Sequence, residues 1–276
     1  MTGELVAGEF ATGGVWRLPL PSLTLPPFDH TNSYLLGTGD DGVLIDCGSD
    51  DPAVLDALEA FLNKRGVTRL RALLLTHTHA DHDAGAAALK ERFGLVVYAH
   101  PLEGAHYEAL EDGATIYGVR AHHTPGHSPG HLSFEVTGAL LVGDLLAAQS
   151  STWVGLPGGD VAAYMASLGR LGQLVVARDI RVLGPGHGPV VTEPLERLDA
   201  VRAHRLEREA QVLAALSHPR TLTKLREAVY PELSPEAERA ADGSLLALLE
   251  KLVREGLAAR EENAEHTVGE VLWTLR

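Results

Sequence analysis

Four side chains that can bind a metal ion lie within six residues, in the segment His77-Thr78-His79-Ala80-Asp81-His82. Imidazole and carboxylate groups are suitable ligands for a borderline divalent ion such as Zn²⁺. In extended backbone, His77 and His79 leave the same face, because successive side chains of a strand alternate. Asp81 and His82 lie past the bend and can turn towards a second point. The segment therefore predicts a metal site whose ligands point in two directions.

Three later segments each add one more ligand-type residue, in a turn rich in glycine and proline or at the end of an apolar run. They are His127 in Thr124-Pro125-Gly126-His127, Asp144 after Leu140-Leu141-Val142-Gly143, and His187 in Gly184-Pro185-Gly186-His187. Glycine and proline fix sharp turns beside strand ends and let the backbone approach a site closely. With the first segment, these residues supply seven ligands, which is enough for two metal ions.

In this order, HxHxDH followed by H, D and H, the motifs resemble the metallo-β-lactamase superfamily of hydrolases over residues 30–190. The resemblance implies two Zn²⁺ ions per chain, although the same ligands are compatible with iron or manganese. The implied ligands are His77, His79 and His127 for one ion, and Asp81, His82 and His187 for the other. Asp144 would bridge the two ions together with a shared hydroxide.

A paired metal site of this kind predicts a hydrolase, because two ions lower the pKa of a bridging water and hold the attacked oxygen. Asp81 is the candidate catalytic residue, as a shuttle for the proton. The resemblance implies an ester, a thioester or a phosphodiester as substrate. Zinc β-lactamases typically lack either the second histidine of HxHxDH or the bridging acid, whereas this chain has both His82 and Asp144. Antibiotic hydrolysis is therefore not expected as the main function.

Three alternatives stay open. The chain could be a glyoxalase II-type hydrolase of hydroxyacyl thioesters, a single-stranded RNA endoribonuclease, or a non-catalytic winged-helix binding protein on a metal scaffold. Its net charge of −14 makes it a poor general binder of polyanions and argues against RNA. The residues do not indicate an oligomeric state.

Composition also indicates the compartment. The single cysteine, Cys47, excludes an intrachain disulfide, which fits a reducing cytoplasm. The first residues have no basic region followed by a long apolar segment, so no signal peptide is expected. No apolar stretch reaches the length of about 18 residues that a membrane-spanning helix requires. A cytoplasmic protein without a membrane anchor is the expectation.

The predicted elements are those of an α+β protein. Apolar patterning predicts an antiparallel pair of strands over residues 32–36 and 43–46. Further strands are predicted over residues 72–75, 95–98, 132–136 and 140–142, and helices over 52–64, 85–93, 101–110 and 160–175. The resemblance implies that these elements form the four-layer αββα fold of a catalytic domain, residues 1–195.

Residues 196–276 are predicted to form a second, smaller domain. The patterning predicts helices over 193–216, 222–230 and 234–255, then strands over 258–262 and 270–274. Three helices and a hairpin resemble a winged-helix module, which lactamase-beta-2-like proteins carry at this place. Its recognition-type helix bears the acidic residues Glu236, Glu238 and Asp242. Packing and shaping of a substrate channel is therefore predicted ahead of contact with nucleic acid.

Four residues near the motifs have more open roles. Asp46 either orients a ligand histidine or caps a turn. Asp83 is predicted as the N-cap of the helix that follows it. His131 is expected behind the ligands rather than on the surface, and Trp153 either contacts substrate or packs in the core.

Overall fold

The computed structural model describes residues 8–11, 14–262 and 271–276. Its first sheet has seven strands in chain order, with antiparallel pairing from β1 to β4 and parallel pairing from β4 to β7. The strands are β1 (Gly8–Ala11), β2 (Val15–Pro21), β3 (His30–Thr38), β4 (Asp41–Ile45), β5 (Arg69–Leu74), β6 (Val96–Ala99) and β7 (Glu108–Ala109). The helices between them are α1 (Pro52–Lys64), α2 (Ala80–Asp83) and α3 (Ala86–Phe93).

The second sheet has five strands in the order β12-β11-β10-β9-β8, and only its β11–β12 pair is parallel. The strands are β8 (Thr115–Ile116), β9 (Val119–His123), β10 (Leu132–Val136), β11 (Ala139–Gly143) and β12 (Val182–Pro185). Helix α4 (Val161–Ala177) connects β11 to β12. Its N-cap is Asp160, whose carboxylate accepts from the Ala163 amide at 3.0 Å.

In the described residues, three clusters of buried apolar side chains fill the interfaces between the layers. The middle cluster joins the two sheets, since Tyr34 and Leu74 of the first meet Phe134 and Leu141 of the second. An outer cluster packs α1 and α3 on the first sheet. The other outer cluster packs α4 on the second sheet. The predicted αββα arrangement is therefore confirmed.

The prediction of a helix over residues 101–110 is wrong. The segment forms a 3₁₀ turn, Pro101–Glu103, and then the short strand β7. Gly104 follows the turn with φ of 134°, a conformation that glycine adopts readily and that no helix can continue. Asp83 is not the N-cap of α3 either, because that position belongs to Gly85.

The C-terminal region contains the predicted helices and hairpin. They are α5 (Pro194–Ala215), α6 (Leu222–Val229), α7 (Glu238–Arg254), β13 (Ala258–Glu262) and β14 (Val271–Leu275). Residue 270, where the last strand was predicted to begin, and the preceding turn lie outside the described residues. Apolar residues of α5, α6 and α7 share one buried cluster with those of α4. In the described part of the chain, no helix has the length and apolarity needed to span a membrane.

Candidate metal centre

The ligand-type residues lie where parallel strands end. Strands β4 and β5 are parallel, and Asp46 and His77 follow them. Strands β11 and β12 are also parallel, and Asp144 and His187 follow those. Because the carboxyl ends of parallel strands lie at the same end of a sheet, the two facing sheets bring the loops of His77, Asp144 and His187 to one end of the sandwich, with Asp46 beside them. All seven residues singled out in the sequence meet there.

Three histidines form the first set. The Nε2 atom of His77 lies 3.0 Å from Nδ1 of His79 and 3.2 Å from Nε2 of His127. The third side of this triangle, His127 Nε2 to His79 Nδ1, measures 2.9 Å. All three nitrogens therefore point to one centre.

The second set combines two imidazoles with a carboxylate. Nε2 of His187 lies 3.3 Å from Oδ2 of Asp81, and His82 Nε2 completes the group. Asp144 lies between the sets. Its Oδ1 is 3.3 Å from His82 Nε2 and 3.4 Å from His187 Nε2, while its Oδ2 is 3.8 Å from His127 Nε2. One carboxylate thus presents an oxygen to each set.

The two sets fit divalent metal ions. A tetrahedral ion with ligands at about 2.0–2.1 Å separates neighbouring ligand atoms by roughly 3.3 Å, close to the distances within each set. Among the described residues, His82 Nε2 has no hydrogen-bond partner, and its ring is fully buried. A buried polar atom of this kind normally requires a partner. A metal ion at the second set would supply it.

Three of the ligand-type histidines are oriented by an oxygen that accepts a hydrogen bond from Nδ1. Nδ1 of His82 donates to Asp46 Oδ2 at 2.8 Å, Nδ1 of His127 donates to the Trp153 carbonyl at 2.8 Å, and Nδ1 of His187 donates to the His30 carbonyl at 2.9 Å. With the proton on Nδ1, each ring leaves Nε2 free to bind a metal. Asp46 therefore orients the His82 ring, which is one of the two roles that the sequence left open.

The charges of the site suit cations. Burial lowers the pKa of His77 and of His127, which favours the neutral imidazole that binds metals. Burial acts to raise the pKa of Asp144, but the neighbouring His82 and His187 hold it well below the ordinary value of 3.8. Burial also opposes protonation of His187, yet hydrogen bonds to Asp144 and Asp81 raise its pKa to about 10. A metal ion bound at His187 would displace this proton, because a ligating nitrogen must be unprotonated.

Glu103 is a site residue that the sequence reasoning missed. Its Oε2 accepts from the amide and the hydroxyl of Thr78 at 3.1 and 2.8 Å. Its Oε1 accepts from the Ser128 hydroxyl at 2.6 Å and the Gly130 amide at 2.8 Å. Burial acts to raise its pKa, but these donors lower the pKa overall. One carboxylate thus ties the loop of His77 and His79 to the loop of His127.

Asn32 and Tyr34 of β3 were also missed. The Asn32 amide donates to the carbonyls of Pro185 and Gly188, and the Tyr34 hydroxyl donates to Pro185 as well. These bonds fix the loop that carries His187. The sequence gives little signal for Asn32, because it lies between the polar residues Thr31 and Ser33 at the start of β3.

Of the remaining histidines, His131 is fully buried and its ring centre lies 5.4 Å from that of His77, which confirms its expected place behind the ligands. His122 pairs with Glu135 at 2.8 Å on the second sheet and does not join either set. Trp153 packs on α7 and donates from Nε1 to the Ala240 carbonyl at 2.9 Å.

The segment between β2 and β3 forms one wall of the site. Phe28 stacks on the His187 ring with the ring centres 5.3 Å apart, and Thr24 hydrogen-bonds to Asp81. Leu23 and Leu25 flank that threonine and are largely exposed. Apolar side chains thus stand beside a polar, metal-type centre.

A family model described as the metallo-beta-lactamase superfamily matches residues 26–115 and 106–187. These matches include all seven ligand-type residues. The chain belongs to the metallo-beta-lactamase superfamily. A second model, described as a beta-lactamase associated winged helix domain, matches residues 221–270 and confirms the predicted C-terminal module. The chain is therefore a hydrolase of the metallo-β-lactamase fold with a winged-helix domain.

Several curated superfamily members are similar in sequence. A beta-lactamase-like protein 2 homolog of Caenorhabditis elegans is 30% identical over 82% of this chain and 80% of its own length. A lactamase-like protein of Arthroderma benhamiae is 33% identical over 90% of this chain, but the match spans only 63% of that protein. An atrochrysone carboxyl ACP thioesterase of Aspergillus chevalieri is 32% identical over 69% of this chain and 61% of its own length.

Solved structures of the superfamily agree with the fold. A metallo-beta-lactamase family protein of Thermus thermophilus superimposes with a TM-score of 0.77 at 26% identity, covering 95% of this chain and 99% of that one. A shorter structure, solved in a di-iron-bound form, gives a TM-score of 0.54 at 36% identity over 63% of this chain and 96% of its own.

Proposed function

We propose that this metallo-β-lactamase-fold protein hydrolyses thioesters with the help of two Zn²⁺ ions. The observation that carries the proposal is the position of Asp144, whose two carboxylate oxygens face two separate sets of ligand atoms. One ion is assigned to His77, His79 and His127, and the other to Asp81, His82 and His187, with Asp144 shared. The proposed catalytic domain comprises residues 1–195, and the winged-helix domain residues 196–276.

When bound, two such ions supply an activated water and a positive centre for the attacked oxygen. The side chains then have distinct tasks. Asp144 links the two sets, because it presents one carboxylate oxygen to each. Asp81 faces His187 with Oδ2, and we assign transfer of the water proton to its other oxygen, Oδ1. Phe28 stacks on His187 and limits the access of water from that side.

A thioester substrate is supported by three features. The related protein of Aspergillus chevalieri is named a thioesterase, and it matches 69% of this chain. Exposed Leu23 and Leu25, which flank Thr24 in the segment that contacts Asp81, suit an apolar acyl group, since they offer a surface that water solvates poorly. The net charge of −14 disfavours RNA and other polyanions.

The test compares four substrates on the zinc-loaded protein: an acyl thioester, the matching oxygen ester, a phosphodiester and single-stranded RNA. We expect kcat/KM for the thioester to exceed that for the phosphodiester by about tenfold or more, because a thioester has an uncharged carbonyl and a thiolate leaving group, whereas a phosphodiester is an anion that repels the attacking group. His79→Ala is expected to abolish the reaction, while His106→Ala, at an exposed histidine outside both sets, serves as the control.

Two results would contradict the thioester assignment. Faster turnover of the phosphodiester, or cleavage of RNA with salt-dependent binding, would favour the nuclease alternative. Equal inactivity of the wild type and His79→Ala on all four substrates would favour a non-catalytic binding protein.

A further inference from the structure

The segment of residues 145–160 leads from Asp144 to helix α4 and has no regular secondary structure over most of its length. It nevertheless contributes directly to the metal-type centre, because its Trp153 carbonyl accepts from Nδ1 of His127 at 2.8 Å. The amide of Asp160, at its far end, donates to the Gly126 carbonyl at 2.9 Å, next to His127. The placement of this segment therefore determines the orientation of one imidazole of the first set.

Helix α5 holds the first half of the segment. Arg197 donates to the carbonyls of Ala147 and Ser150 at 2.8 and 2.7 Å. Arg205 donates to the Thr152 carbonyl, the residue immediately before Trp153, and its guanidinium lies 5.0 Å from the centre of the Tyr164 ring. Backbone carbonyls outside helices and strands need such donors when they are partly buried.

Helix α7 holds the second half. Trp153 Nε1 donates to the Ala240 carbonyl, and the Leu156 amide donates to the Gly243 carbonyl at 3.1 Å. A Cβ atom on Gly243 would lie 3.0 Å from the Leu156 carbonyl oxygen and 3.2 Å from the Trp153 ring, so glycine permits the close approach. At the other end of α7, Arg254 pairs with the carboxylate of Asp160 at 2.8 and 3.0 Å.

We infer that the winged-helix region acts as a positioning element for the metal centre: Arg205 of α5 and the N-terminal part of α7 fix Trp153, whose carbonyl orients His127. The contacts form one continuous path from the C-terminal region to a ligand, Arg205 to Thr152 and Ala240 to Trp153, then to His127. This inference rests on the proposed function, since it takes His127 as a metal ligand.

The same contacts bear on nucleic acid. In a helix-turn-helix the second helix enters the major groove, and here that helix is α7. Eight of its residues are buried, and its N-terminal part contacts the 145–160 segment. Much of the surface of α7 is thus buried within the protein, which agrees with the packing role predicted for this helix.

Arg205→Met is the informative variant, because it keeps the length of the side chain and removes its donors. Arg208→Met is a matched control. Arg208 lies on the same helix, donates to the Val229 carbonyl at 2.7 Å and stacks over Tyr230, but contacts only the C-terminal region. Trp153→Phe is a second test variant that keeps an aromatic ring and removes the Nε1 donor. All are placed in a His187→Ala background, so that zinc at His77, His79 and His127 is measured alone.

The readout is zinc affinity from competition with a chromogenic chelator, together with the thermal unfolding midpoint. Arg205→Met and Trp153→Phe are each expected to bind Zn²⁺ about 10 to 100 times more weakly than the background, as for other partners that orient a metal ligand. Arg208→Met is expected to bind it unchanged. Affinities of Arg205→Met and Trp153→Phe equal to that of Arg208→Met would overturn this inference alone. A wild-type chain that binds no zinc would overturn the proposed function as well as this inference.

Discussion

Asp144→Asn is expected to hydrolyse the thioester substrate roughly 10³-fold more slowly than the wild type. The amide keeps the shape of the side chain but loses its charge and one of its two acceptor oxygens. Those oxygens face His82 and His187 on one side and His127 on the other, at 3.3, 3.4 and 3.8 Å. Two divalent cations held by these sets would repel each other, and the negative charge of Asp144 would offset that repulsion.

The fold should survive this change, because the partners of the Asp144 carboxylate are histidines of the site rather than core residues. The measurement is therefore kcat/KM together with the thermal unfolding midpoint. Asp179→Asn is the control, since Asp179 forms an exposed ion pair with Arg181 far from both sets. An Asp144→Asn variant that is folded and within about tenfold of wild-type activity would show that the two sets do not act as one centre.

Asp46→Asn is expected to weaken zinc binding at the set that contains His82 by about 10 to 100 times. The Asp46 carboxylate accepts three hydrogen bonds, from the amide and hydroxyl of Thr76 at 2.7 and 2.8 Å and from His82 Nδ1 at 2.8 Å. An amide has one oxygen, so at least one of these buried donors loses its acceptor. The free energy of unfolding is expected to fall by about 1–3 kcal/mol as well.

Asparagine is a suitable probe at this position. Asp46 has φ of 55°, in the left-handed region that asparagine also tolerates, so backbone strain does not confound the result. Asp83→Asn is the control, because Asp83 is next to His82 in sequence but accepts from the Tyr107 hydroxyl instead. The measurement is a two-step zinc titration of each variant. Equal affinities for Asp46→Asn and Asp83→Asn would refute the orienting role.

The positions of the seven ligand-type residues could be predicted because their information is local. His77, Asp144 and His187 follow closely on β5, β11 and β12, whose apolar runs are visible in the sequence, as with Val142 before Asp144. A ligand at the end of a buried strand has few directions in which to point. Most helices were predictable for the same reason: α1 has the expected bounds, and α4 lies close to the expected residues 160–175.

The residues that hold these loops together could not be predicted, since their partners are distant in the chain. Glu103 contacts residues 25 and 27 positions away, and Asn32 contacts Pro185 at a separation of 153. The helix predicted over 101–110 failed at the same place. Its apolar spacing favoured a helix, but bonding of Glu103 to two loops and the conformation of Gly104 end the turn.

The link between the C-terminal region and His127 depends on a backbone carbonyl, that of Trp153, and a carbonyl has no residue-specific signal in a sequence. The tryptophan itself suggested either substrate contact or core packing. Its ring packs on α7 while its main chain supports the site. The ring and the carbonyl of Trp153 thus have different partners, Ala240 and His127, and neither partner is close to it in the sequence.

Anomalous diffraction at the zinc absorption edge, from crystals grown with Zn²⁺, tests the central claim most directly. Two peaks per chain are predicted, one among His77, His79 and His127 and one among Asp81, His82 and His187, with the Asp144 carboxylate between them. A single peak, or peaks away from these side chains, would contradict the two-metal centre.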